Sequence, residues 1–456
     1  MAKASSDAKS VLERVKKADA GKAKVAITDI DGVLRGKYID VGKFESALDT
    51  GFGFCNVVFG WDAGDICYDD VKYTGWHSGY PDALVRLDLG TYREVPWDAG
   101  VPFLLGDFVD ERGDALAICP RQLLKRVLQQ LAEHGFSALA AFEYEFFHFQ
   151  ETSQSLAEKG HLAPRPLTPG MFGYSLIRLN QHRDYVNALM DDMRAFGVPI
   201  EGLHTETGPG VLEAAILYSD PLEAADRASL FKTGAKEIAH RFGIMPSFMA
   251  KWRADLPGCS GHIHQSLWDD RGTKNLFHDS EAPHGMSRLF RQYVAGQLHC
   301  LPEVLALFAP TVNSYKRLVE GAWAPTRANY GIDNRTTALR AIPGGKKSTR
   351  LETRVNGSDS NPYLALAAAL ATGLYGIKNE LELGAPVSGS GYADRAAAAL
   401  PKTLEEATER LAASAVAREL FGEAFVEHFV ATRRWEWKQF GRAVTDWELA
   451  RYFEII

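Results

Sequence analysis

The chain has 456 residues, enough at about 150 residues per domain for two or three domains around a large core. Its 46% hydrophobic and 24% charged residues exclude wholesale disorder and fibrous repeats, and a net charge of -7 excludes any global attraction to nucleic acid or anionic lipid. Cys55, Cys67, Cys119, Cys259 and Cys300 form no CxxC pair, and no apolar run has the length of a membrane span or the place of a secretory signal. A soluble, cytoplasmic protein in a reducing compartment is expected.

In chain order, a short helix over VLERVKKADA precedes KVAITDIDGVLRGKYIDV, whose apolar–polar alternation around a DG turn predicts a hairpin. GFCNVVFG and ALVRLDLG read as further strands, and an RGD turn separates two apolar stretches before Pro120. There the pattern changes: RQLLKRVLQQLAEHGF has helical spacing, with Gly135 as its stop signal. The change divides the chain into an N-terminal domain, 1–116, and a second domain, 117–456. The second mixes helices such as QHRDYVNALMDDMRAFGV with the strands ALAAFEYEFFHFQ, GHIHQSLWD and TRLETRVN, an α+β pattern, and from about Pro401 it reads as helical throughout.

Several of these strands carry chemistry. In FEYEFF, Glu143 and Glu145 are two apart, so a strand puts both carboxylates on one face and Phe142, Tyr144 and Phe146 on the other. Taken alone, such a pair reads as a solvated outer face. His204 and Glu206 repeat the spacing in HTETGPGVLE, where a Gly-Pro-Gly turn returns Glu213. His262 and His264 flank Ile263, and Arg350, Glu352 and Arg354 alternate in STRLETRVN, with Arg317, Arg335, Arg340, Lys346 and Lys347 in a basic block nearby. The acids and His262 form a hard-ligand set suited to Mg²⁺ or Mn²⁺, and arginines beside such ions are what phosphoryl transfer requires. No GxxxxGK[ST] sequence is present, so a nucleotide would be held by something other than a P-loop.

TDIDGVLRGKY, FEYEFF, HTETGPGVLE, GCSGHIHQSLW, NSYKRL, DNRTTALR and RLETRVNGSDSNPYLALAAAL occur here in the order in which one family carries them. Over nearly its whole length the chain resembles the glutamine synthetase family. The resemblance implies an α+β fold: a small β-grasp N-terminal domain and a large catalytic domain of antiparallel sheet and helices. It implies that Glu145, Glu206 and Glu213 hold one metal and Glu143, His262 and Glu352 another, with about two or three Mg²⁺ or Mn²⁺ per site. Gly258, Arg317 and Arg354 would bind glutamate; Arg335, Arg340 and Arg350 would surround the transferred phosphoryl group; His204, Tyr218, His264, Ser266 and Lys347 would contact ATP. Glutamate is then phosphorylated on its γ-carboxylate, Arg335 stabilises the leaving phosphate, and an amine attacks the acyl phosphate. The family forms hexameric rings, often stacked as dodecamers, in which a neighbour's N-terminal domain completes each site.

The chain departs from ammonia-using members at the acceptor. Their PGxEAP glutamate is replaced in EGAWAPTR by Trp323, which accepts no proton. In FGWDAGD, Asp62 is the best match to their second ammonium-binding acid. The branch that joins glutamate to organic amines shares the APT and DNRT segments seen here. Trp323, Trp61 and Phe59 are the expected amine pocket, favouring a bulky or aromatic monoamine; a polyamine, or ammonia itself, is the alternative. Pro257 stands where many members have Asn, which removes an amide beside the glutamate site.

Overall fold

The computed structural model describes residues 2–18 and 20–456. β1 (Lys22–Thr28) and β2 (Leu34–Asp40) form the expected hairpin, with Lys22 opposite Asp40 and Thr28 opposite Leu34. Asp29 closes the turn by accepting the backbone N–H groups of Asp31 and Val33. The helix Val41–Thr50, capped by the Asp40 carboxylate on the Lys43 N–H, packs against this sheet. β3 (Phe52–Cys55), β4 (Asp82–Leu87), β5 (Arg93–Val95) and β6 (Val101–Val109) complete 6 strands in which β6 runs parallel to β1. Hairpin, packed helix and central parallel strand make the β-grasp arrangement.

One expected strand is only half a strand. After β3, residues Asn56–Phe59 of GFCNVVFG wind into a 3₁₀ turn that drives Phe59 inward. Its ring is fully buried, edge-on to Phe108 at 5.1 Å and to Tyr73 at 6.1 Å. Phe59 is therefore a core residue of the N-terminal domain, and its assignment to an amine pocket is corrected.

The second sheet has 8 strands: β7 (Phe136–Phe149), β8 (Ile200–Thr205), β9 (Val211–Ile216), β10 (Met245–Ser247), β11 (Gly261–Asp269), β12 (Tyr330–Ile332), β13 (Leu339–Ile342) and β14 (Arg350–Thr353). Their order is β12-β13-β14-β11-β7-β9-β8, with β10 also on β7, and the pairs are antiparallel except β12 with β13. One face of β7 sends Phe142, Tyr144 and Phe146 into the core, where Tyr144 and Phe146 pack on Phe231 of the helix Pro221–His240. Burying each such ring stabilises the fold by roughly 1.5–3 kcal/mol. Behind lies the almost wholly apolar helix Pro362–Lys378. Asn361 starts it by accepting the Tyr363 N–H and donates its own amide to the Asp29 and Ile30 carbonyls, so one buried side chain ties the hairpin turn to the core.

The C-terminal stretch is not helical throughout. Helices Leu404–Ala413, Ala415–Phe421 and Glu423–Arg442 are separated at Ser414, whose hydroxyl caps the second by accepting the Ala417 N–H, and at Gly422, whose φ of 86° favours glycine. Asp446–Tyr452 forms a last short helix. Among the described residues no helix is long and apolar enough to cross a membrane, and the five cysteines are free.

His428, on Glu423–Arg442, is buried beside Phe59 with a ring separation of 6.3 Å and no partner for either nitrogen. Burial, reinforced by Arg433, pushes its imidazole down from 6.5 to about 4. The folded chain thus excludes a proton that the unfolded chain binds. This contribution is complete above pH 6.5 and is lost as pH falls towards 4, on the order of 3 kcal/mol in all. His428→Phe keeps the ring packing and cannot titrate. Its stability relative to the parent, read as urea midpoints, should rise between about pH 7 and about pH 5; a constant difference across that range would contradict the assignment.

Candidate active site

The register of the second sheet explains why distant segments meet. On β7, Glu145 stands opposite Glu213 of β9 and Glu143 opposite His262 of β11. Glu213 is opposite His204 of β8, while Glu352 of β14 is opposite both His264 and Arg340. Two-residue periodicity then brings all these side chains to one face, over a cavity of about 450 Å³. Glu143, Glu145, Glu206, Glu213, His262 and Glu352 all line it, together with Gly258, Arg317, Arg335, Arg340, Arg350 and Arg354.

Ligand atoms of Glu145, Glu206 and Glu213 lie within 4.8 Å of one another. Burial, aided by neighbouring acids, pushes Glu145 up to about 7 and Glu213 up to about 9. Acids so crowded must take up protons or share a cation, and an all-carboxylate set fits a hard divalent ion. This trio fits the first metal set expected from the sequence.

The second trio is arranged differently. Glu143 accepts a hydrogen bond from His264 Nε2 at 2.9 Å; burial works to raise its pKa, but this bond and the nearby imidazoles hold it well below the usual range. Glu352 accepts from Arg354 at 2.5 Å and from Arg340 at 2.9 Å. Its pKa is held at about 2 by His262 and these arginines against the opposing effect of burial. His262 Nδ1 lies 3.3 Å from Glu352 without a hydrogen bond, and burial, with Arg354 adding to it, lowers its imidazole to about 3. A neutral ring with an unpaired nitrogen between two ionised carboxylates can ligate a metal.

Arg317 is 3% exposed, and one guanidinium nitrogen donates to the Val355 carbonyl at 2.5 Å while Nε has no partner. A buried, incompletely satisfied guanidinium suits a carboxylate ligand. Gly258 lies against it: a Cβ there would collide with the Ala250 carbonyl and the Arg317 side chain.

A second cavity of about 430 Å³ shares Glu143, His264 and Arg350 with the first. Tyr218, Ser266 and Lys347 line it, so with His264 four of the five residues expected to contact ATP meet there. Trp268 lines it as well and donates its indole N–H to Ser266. His204 does not. It bonds Glu213 at 2.9 Å and stacks on Tyr174, with ring centroids 4.4 Å apart, so the structure places it beside a carboxylate of the first trio, apart from the other residues expected around ATP.

Trp323 lines the first cavity, 61% exposed, in the left-handed conformation (φ 59°). Tyr174, also left-handed (φ 56°), lines it too and was missed in the sequence because it stands alone in an irregular stretch. Trp61 and Asp62 are in the N-terminal domain and line no part of this cavity within one chain. Trp61 is half-buried under Arg35, whose guanidinium is 5.2 Å from the ring. The Asp62 carboxylate accepts the N–H groups of Gly64 and Ile66 and the indole N–H of Trp435.

Residues 117–452 match the family model for the glutamine synthetase catalytic domain. The chain is 53% identical over 450 residues to type-1 glutamine synthetase 2 of Dictyostelium discoideum, covering 98% of this chain and 86% of that one. It is 37% identical to the glutamate–isopropylamine ligase of a Pseudomonas species over 98% of both. The solved structure of GmaS in complex with ADP superposes with a TM-score of 0.85 at 29% identity, covering 97% of this chain and 99% of the other. A family model over residues 117–452 and relatives aligned over nearly the whole length together establish that the chain belongs to the glutamine synthetase family of ATP-dependent ligases.

Proposed function

We propose that this ligase joins glutamate to an organic amine through a γ-glutamyl phosphate, and that the acceptor is a monoamine with an apolar or aromatic substituent. Trp323 carries the reading. It occupies the acceptor position expected to hold a glutamate in ammonia-using enzymes, and with Tyr174 it gives the cavity two aromatic surfaces in place of a negative charge. The isopropylamine specificity in the name of one relative supports a small apolar amine.

In this reading Arg317 holds the α-carboxylate of glutamate and Arg354 meets its γ-carboxylate, next to Glu352. ATP lies along the second cavity with adenine against Tyr218, and its γ-phosphate reaches the first cavity between Arg335, Arg340 and Arg350. Mg²⁺ or Mn²⁺, when bound by the two ligand trios, supplies charge neutralisation for the phosphates. Arg335 steadies the phosphate as it departs from the acyl carbon. The proposed assembly is a hexameric ring, single or stacked as a dodecamer, in which the N-terminal domain (1–116) of one subunit brings Trp61 and Asp62 towards the next subunit's acceptor side.

The name of the 53% identical relative favours a second reading, ammonia as acceptor. Phosphate release from ATP with glutamate and Mg²⁺, run across ammonia, isopropylamine, benzylamine, putrescine and spermidine with products identified by mass spectrometry, separates the two. A γ-glutamyl monoamide with ammonia poor is expected. Trp323→Glu should then raise ammonia use about tenfold and depress monoamine use; ammonia preferred by the parent would establish the second reading.

A further inference from the structure

Lys232 plays no part in the chemistry above, yet it reaches towards the site from beneath. It stands on Pro221–His240, with its ammonium 5.7 Å from the Tyr144 ring and 5.6 Å from Phe248. From there it donates to two backbone carbonyls of one loop, Ser358 at 2.9 Å and Ser360 at 3.0 Å. Convergent carbonyls form a negative notch that a point cation fills well.

That loop, residues 355–361, touches Arg317, the helix that carries it and the strand that bears Glu145. Its Val355 carbonyl receives the Arg317 guanidinium. Its Asp359 carboxylate accepts from Thr311 at 2.7 Å and from Ser314 at 2.6 Å, which fixes the start of the helix Ser314–Arg317 that carries this arginine. The Ser358 hydroxyl donates to the Glu145 carbonyl at 2.7 Å, which joins the same loop to the strand bearing the metal carboxylates. None of these contacts reaches the second cavity, where Tyr218, Ser266 and Lys347 stand.

We propose that Lys232 is a positioning residue for glutamate: by clamping the Ser358 and Ser360 carbonyls it fixes the loop that aims Arg317 at the substrate carboxylate. The inference rests on the glutamate reading of this cavity. Without the ammonium, the loop loses the donor common to both carbonyls, and Arg317 loses the fixed geometry of its Val355 and Asp359 supports. Misplacing one orienting group weakens binding of its own ligand and leaves a ligand held elsewhere unaffected.

The test compares Lys232→Met, Lys232→Arg and Asp359→Asn in glutamate- and amine-dependent phosphate release, with glutamate and ATP varied separately. Lys232→Met should raise KM for glutamate about tenfold while KM for ATP stays within about twofold, and Lys232→Arg, which keeps a cation in the notch, should recover most of the loss. Asp359→Asn, which weakens the same support from its other side, should show the same one-sided effect and carries the test if Lys232→Met does not fold. Unchanged glutamate KM in the variants, or parallel rises for glutamate and ATP with no rescue by arginine, would overturn the inference. Parent enzyme whose phosphate release does not depend on glutamate would instead overturn the functional reading beneath it.

Discussion

Glu213→Gln should have opposite effects on stability with and without divalent cation, and should lower amide formation by about a thousandfold. Glu213 faces Glu145 across the β7–β9 pair and shares a 4.8 Å cluster with Glu145 and Glu206. Burial and the neighbouring acids push its carboxyl up to about 9, so in chelator the cluster is strained by like charge or must bind a proton. A neutral amide relieves that strain, and the chelated variant should melt above the chelated parent. Added Mg²⁺ or Mn²⁺ reverses the order, because stabilisation by a bound ion grows with its affinity for the folded chain, which the amide reduces. Thermal melts in EDTA and in each ion, alongside activity, test both signs. A variant stabilised by cation as strongly as the parent would remove Glu213 from the ligand set.

Arg317→Met should raise KM for glutamate about a hundredfold, close to 3 kcal/mol, with KM for ATP changed by about twofold at most. The side chain is 3% exposed, and its Nε has no protein partner. A buried fork of donors with one branch free is where a substrate carboxylate gains most, since water does not compete there. Arg317→Lys should not restore binding, because an ammonium cannot keep the Val355 carbonyl and reach a carboxylate with the same planar fork. Initial rates with each substrate varied in turn give the comparison. Equal rises in both constants would mean that the arginine supports the fold and does not select glutamate.

The residues that were legible in the sequence are those whose strands obey a period of two. Glu143 and Glu145, His262 and His264, and Arg350, Glu352 and Arg354 each stand two apart, so their shared face follows from the backbone alone. What alternation does not give is register. That His204 opposes Glu213, and so bonds a carboxylate, depends on how β8 pairs with β9. Phe59 reads as an amine-pocket residue because it stands beside Trp61 and Asp62 in the sequence, while the chain turns after Cys55 to bury that ring against Phe108. Tyr174 left no periodic signal, since a single left-handed residue between irregular segments obeys no repeat. The C-terminal helices are separated by a capping serine and a glycine, local signals outweighed in the sequence by a long helical composition on either side.

The two walls of the first cavity are built under different rules. The five glutamates and His262 that line it depend on a common register across β7, β9, β11 and β14 and their connections, so an insertion of one residue in any of these strands turns its polar face into the core. Trp323 hangs from a turn that pairs with nothing in that sheet, and its side chain is mostly outside the packed interior. Variation is therefore tolerated on one wall and punished on the other. If Trp323 selects the amine as proposed, a lineage can exchange one amine for another by single substitutions at the turn, leaving the sheet that carries the acids untouched.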